Sequence, residues 1–242
     1  MRASAIALYG LLIWFRQGGD PIALTAFPLI YMLGKPWQLS PRFCPRPFFA
    51  ASLLFVSALI IDSTFMFAVS WISLVYSLYA YIPPHRYQKL LLLAMLGFSW
   101  IDSDLEFLGF LFRYTGALAT ATLFSLFKYP VAQMGTGFLI DKQAFFAEAP
   151  CSGLNTLHIF LLIGLAWSYA HQKDSPHFWR NIPLIILLTW LTNTVRMALL
   201  TTLILFVSPI FVAGSAHTLV GLFAFCLTFL PFLAYNRSIG YT

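Results

Sequence analysis

Charge is what this chain has least of. Of its 242 residues only 9% are charged, with 8 Asp and Glu in all, whereas a soluble domain carries about a quarter. That is too little to clothe a water-soluble surface, so bilayer is the natural solvent. Cysteine is also scarce. The three, Cys44, Cys151 and Cys226, lie far apart with no Cys-x-x-Cys pair, which argues against a zinc site or a disulfide framework. No metal or other cofactor is expected. Long polar stretches are missing as well, so no separate soluble domain can fold between the apolar runs. The formal net charge of +6 comes from basic residues scattered through short loops rather than gathered in a stripe. This excludes a nucleic-acid partner and fits topology signals and contacts with anionic lipid.

What is present is hydrophobicity, 60% of the chain. Apolar segments fall at roughly 3–15, 21–34, 48–61, 64–82, 88–104, 107–127, 152–170, 181–207 and 214–235, separated by Pro, Gly and charge clusters. The first run resembles a signal peptide, yet Arg16 to Asp20 follows it with no small-residue cleavage site, so an uncleaved helix is expected. The fold expected is all-α integral membrane: a polytopic helical bundle of about eight spans, with a short extracytoplasmic β-hairpin or loop before the cysteine helix. It reads as one domain, 1–242, with N-terminal helices at 1–129, the extracytoplasmic loop at 130–150 and catalytic helices at 151–235. In the loop a strand is expected to end at Ile140, turn at Asp141-Lys142 and return through Phe145-Phe146.

Basic loops at Lys35 to Arg46, Pro83 to Lys89 and His171 to Arg180 belong in the cytoplasm by the positive-inside rule. Helix 152–170 then starts on the outer side, 181–207 returns there and 214–235 starts there, which puts Cys151 and His217 at one face. Between residues 89 and 151 the crossing count must be odd. The run 88–104 is assigned the crossing, and 107–127, carrying Arg113 and several threonines, an interfacial or re-entrant role.

Three residues concentrate the chemistry. Cys151 follows Pro150 and precedes Ser152, which can cap a helix, so it belongs at or just before a helix N-terminus, where the macrodipole favours a thiolate. Arg196 interrupts an apolar run, where a guanidinium is costly unless it faces the bundle interior. Asn193, three residues earlier on the same face, can brace it. His217 opens the last span and can take a thiol proton and return it to a leaving amine. His158, seven residues after Cys151, is a competing base. A different reading has Arg196 and Asn193 lining the substrate path of a small transporter or membrane scaffold, with Cys151 incidental.

The wording around these residues is more specific than their types. Glu148-Ala-Pro-Cys151-Ser152-Gly153-Leu154, Asn193-Thr-Val-Arg196, and His217 with Gly221 four residues later resemble, in order and approximate spacing, the motifs of the exosortase/archaeosortase family. The resemblance covers mainly 130–235. It implies an enzyme of the cytoplasmic membrane, active on the extracytoplasmic side, that acts on an exported protein bearing a C-terminal motif, a transmembrane helix and a basic tail. The enzyme cleaves at the motif through a Cys thioester and transfers the product to an acceptor nucleophile. By that resemblance Cys151 is the nucleophile, His217 the acid/base and Arg196 the electrostatic stabiliser, with Asn193, Ser152 and Gly153 in support.

Overall fold

The computed structural model describes residues 2–16, 21–33, 45–78, 84–141, 143–146, 152–171, 177–212 and 214–239. Cys151, Cys44, Glu148 and Lys142 lie outside them, as do 17–20, most of the 35–46 loop and the 172–176 loop. The chain is mostly helical, with one small sheet. Its contacts cluster into two compact units, Met1–Asp104 with Leu161–Asn181, and Leu105–Phe160 with Ile182–Thr242.

The first unit holds α1 (Arg2–Arg16), α2 (Pro21–Leu33), α3 (Pro45–Ile61), α4 (Thr64–Leu78), α5 (Pro84–Met95) and α6 (Trp100–Asp104). α3 and α4 are an antiparallel pair joined at Asp62-Ser63, where Asp62 takes φ +58°, a conformation that short polar side chains tolerate. Ser70 on α4 donates to the Ala51 carbonyl of α3 at 2.9 Å and meets Tyr9 of α1 at 2.5 Å. Hydroxyls of this kind tie apolar helices together where burial in lipid supplies no drive. Phe27, Trp71 and Phe98 stack edge to face around the same core.

The ends of α1, α3 and α6 lie together in this unit. Side-chain bonds join those ends: Arg16 Nη2 reaches Asp62 at 2.6 Å, and Asp104 accepts the Phe65 backbone N–H at 2.5 Å, capping the start of α4. The 88–104 run, to which the sequence assigned one crossing, is not one helix. It is broken at 96–99 between α5 and α6, with the Trp100 indole donating to the Met95 carbonyl across the break. Gly97 packs against Phe27 there, where a Cβ would come within 3.2 Å of Phe27 Cζ. The run 107–127, expected to be an interfacial or re-entrant helix, lies in an unbroken helix of 21 residues, Glu106–Leu126, long and apolar enough by length and composition to cross a membrane.

The second unit contains that helix, α7 (Glu106–Leu126), then β1 (Val131–Met134), β2 (Gly137–Ile140) and β3 (Gln143–Phe146), the first part of α8 (Leu154–His171), nearly all of α9 (His177–Phe206), a 3-10 turn Pro209–Val212 and α10 (Gly214–Ile239). By length and composition α7, α9 and most of α10 qualify as spans. Segment 130–146 is a three-stranded antiparallel meander in the order β1-β2-β3. Of the turn expected at Asp141-Lys142, Asp141 follows β2 and Ile140 stands opposite Gln143, while Lys142 lies outside the described residues. A second turn at Gly135-Thr136, with Met134 opposite Gly137, makes three strands rather than two. Both are two-residue turns, which need a first residue at positive φ; Gly135 has +61° and Asp141 +50°. Phe138 and Ile140 pack on Ala117, Ala121 and Phe124 of α7, so the sheet is held by a helix. Phe160 of α8 sits among Phe225, Phe229 and Phe232 of α10.

Candidate functional site

α9 presents one face to the site. Asn193, Arg196, Met197, Leu200, Thr201 and Ile204 recur at three- and four-residue steps, the spacing of one helical stripe. They line a pocket of about 210 Å³ closed on the other side by Phe138, all four residues of β3 and His217 of α10. Arg196 is the charged side chain among the described lining residues; Gln143, Asn193, Thr201 and His217 are the polar ones.

Arg196 and His217 meet directly, Nη2 to Nε2 at 2.7 Å. The other ring nitrogen, Nδ1, lies 3.3 Å from the Phe211 carbonyl. A carbonyl only accepts and a guanidinium only donates, so both contacts are hydrogen bonds for one ring form, neutral with the proton on Nδ1. The 3-10 turn between α9 and α10 thus fixes the ring's orientation, and Arg196 occupies the lone pair a base would use.

Glycine lets the arginine get there. Gly221 lies one turn after His217, and a Cβ on it would sit 3.2 Å from Arg196 Nε and 3.4 Å from Cζ. The guanidinium therefore lies against the bare backbone of α10 with its Nε buried and without a hydrogen-bond partner among the described residues. This gives the His-x-x-x-Gly spacing a physical meaning: histidine to bind the arginine, glycine to admit it.

At the start of α8, Ser152 accepts the Leu154 N–H at 3.3 Å, and the Gly153 carbonyl accepts the first helical bond, from Leu157, at 2.8 Å. Ser152 thus supports the helix start as expected. Gly153 has φ +81°, and the space a Cβ would fill is taken by Asn193, whose Cγ lies 3.3 Å away. Asn193 is buried and links the segment just after Cys151 to the α9 stripe. Its expected bracing of Arg196 is not a direct bond: among the described residues its amide reaches only the Met197 sulfur, at 4.0 Å. α7 contributes close packing, Gly109 against Ser152 and Leu154, and Gly116 against Met197 and Thr194, while Trp190 donates to Thr115 at 2.9 Å.

The structure thus brings Arg196, His217 and Asn193 to one pocket and places Ser152 and Gly153 against Asn193. Cys151 itself lies outside the described residues. His158, the competing base, is fully buried on α8 and does not line the pocket. Sequence reasoning missed the β3 wall and the Phe211 carbonyl. Met197, Leu200, Thr201 and Ile204 were within its reach, since they continue the helical period from Asn193. Arg113, taken from sequence as part of a half-polar face, stands between Gly109 and Gly116 on one side of α7 with Nε buried and unpartnered among the described residues.

The model of the transmembrane exosortase family matches residues 21–234. No curated protein and no solved structure matches the chain.

Proposed function

The chain belongs to the transmembrane exosortase family, and from that membership we propose that it is a membrane-embedded cysteine transpeptidase or peptidase acting on the C-terminal sorting signal of exported proteins. Cys151 is the nucleophile, His217 the acid/base and Arg196 the electrostatic stabiliser, at the outer face of the cytoplasmic membrane. The observation that carries the reading is the Arg196–His217 bond inside a pocket, with the segment after Cys151 packed on the same α9 stripe through Asn193.

The chemistry follows from the ring form. Cys151 sulfur attacks the carbonyl carbon of the scissile peptide bond, and its proton passes to His217 Nε2. Once protonated, Nε2 is a donor and can no longer accept from Arg196, so the guanidinium is released as negative charge builds on the carbonyl oxygen, the point at which a cation stabilises most. The C–N bond breaks as His217 gives the proton to the leaving amine, leaving a thioester on Cys151. Water or an acceptor nucleophile then attacks the thioester carbon, its proton passes to His217, the C–S bond breaks, and His217 returns that proton to the Cys151 sulfur. The Phe211 carbonyl stabilises the histidinium throughout by accepting from Nδ1.

The test is processing of a co-expressed exported reporter ending in a short motif, a transmembrane helix and a basic tail. Cys151→Ala and Cys151→Ser should abolish processing while the protein accumulates, and the wild-type chain should yield a trapped thioester identifiable by mass spectrometry. Normal processing by Cys151→Ala refutes the reading.

A further inference from the structure

The pocket beside Arg196 and His217 touches Gln143, Ala144, Phe145 and Phe146 together. Successive side chains on a strand point to opposite faces of a sheet. A pocket lying on one face would meet alternate residues only. One that meets four in a row, with a single residue of β2 and none of β1, runs along the strand's edge. β3 is an edge strand among the described residues, since the order is β1-β2-β3.

The register says which backbone groups that edge offers. In a two-residue hairpin the residues flanking the turn, Ile140 and Gln143, exchange hydrogen bonds, and so do Phe138 and Phe145 two places on. The N–H and C=O of Ala144 and Phe146 therefore point away from β2, into the pocket. The opposite wall is the α9 stripe, apolar at Met197, Leu200 and Ile204 and cationic at Arg196. In the sequence, Cys151 follows Phe146 by five residues.

We propose that the free edge of β3 binds an extended backbone segment of the exported-protein substrate as a fourth strand, laying it between the sheet and α9 beside Arg196 and His217. This rests on the function proposed above. Strand addition of this kind draws affinity from main-chain hydrogen bonds and specificity from pockets for alternate side chains. Here one set of substrate side chains faces the apolar part of α9. The other faces away from the helix.

Two measurements test it with the reporter described above. Ala144→Pro removes an outward N–H and leaves the β2 ladder whole, a change edge strands accept; processing should fall at least about tenfold, with accumulation unchanged. Separately, p-benzoylphenylalanine in place of Phe146, in the Cys151→Ala chain, should cross-link on illumination to the reporter's segment just before its transmembrane helix, several-fold more than the same probe in place of Leu227, exposed on α10. The cross-link scores binding without catalysis, and it decides the matter if the proline variant fails to accumulate. Wild-type processing by Ala144→Pro, or adducts no more frequent from 146 than from 227, overturns the edge pairing. Processing that survives Cys151→Ala overturns the catalytic reading alone.

Discussion

Gly221→Ala separates stability from chemistry because the two should move in opposite directions. The new methyl carbon would lie 3.2 Å from Arg196 Nε and 3.4 Å from Cζ, against an ordinary separation of about 3.5–4.0 Å. The guanidinium must retreat by a few tenths of an ångström, and it is tied to His217 by a bond of 2.7 Å. A displacement of about 1 Å at a reacting site costs about a hundredfold in rate; on that scale the shift here corresponds to a loss of roughly fivefold to thirtyfold in kcat/KM, or about 1–2 kcal/mol of transition-state stabilisation. Meanwhile alanine is a better helix former than glycine by about 0.5–1 kcal/mol in a helix interior. The assay pairs the rate of reporter processing in membranes with thermal unfolding of the purified protein. The expected result is slower processing by a protein that unfolds no earlier. Processing at the wild-type rate would show that the guanidinium has no need of Gly221.

Other substitutions probe the same site and its supports. Arg196→Lys keeps the charge but loses the planar group that reaches Nε2 from across the α10 backbone, so processing should fall about a hundredfold, in the same assay, with little change in unfolding temperature. His217→Gln should cost about 10²- to 10⁴-fold; a smaller loss would point to another acid/base. Away from the site, Thr192 and Thr228 share a hydrogen bond between α9 and α10 at 2.5 Å, while Thr192 also bonds the Leu188 carbonyl. Thr228→Val should therefore cost only about 0.6 kcal/mol in denaturant unfolding and leave processing unchanged. Asp104→Ala removes the acceptor from the Phe65 N–H and should destabilise by about 1 kcal/mol, again without a kinetic effect.

The parts of this protein most legible in its sequence are those fixed by solvent and by helical period. The apolar runs marked α9 and α10 because an apolar chain in lipid must satisfy its own backbone. Asn193 and Arg196, three apart, announced the face that lines the pocket. Asp141-Lys142 announced a turn because a hairpin of this length needs positive φ there. The first turn was equally encoded, in Gly135 and Gly137, yet strands of four residues carry too little alternation to separate two from three. At the break in 84–104, Gly97 lies close to Phe27, distant in sequence, a contact that local pattern cannot announce. The pairing of Arg196 with His217 has the same character: spacing gave each a depth, but only the packing of α10 on α9 brings the nitrogens together. The β3 wall was hidden for a further reason, since its role depends on which edge of the sheet faces α9.

The α9 stripe from Asn193 to Ile204 spans eleven helical steps, about 16 Å, and the three steps from Gln143 to Phe146 of β3 span about 10 Å. The strand is the shorter ruler, and only about four residues of an extended chain can be read beside it. So short a window holds little sequence information, and a cell full of exported proteins would present many accidental matches. Discrimination must then come from features read outside the groove, such as a substrate's own hydrophobic segment holding the window at the right depth. On the function proposed above, a chain with the correct four residues and no such segment should pass uncut.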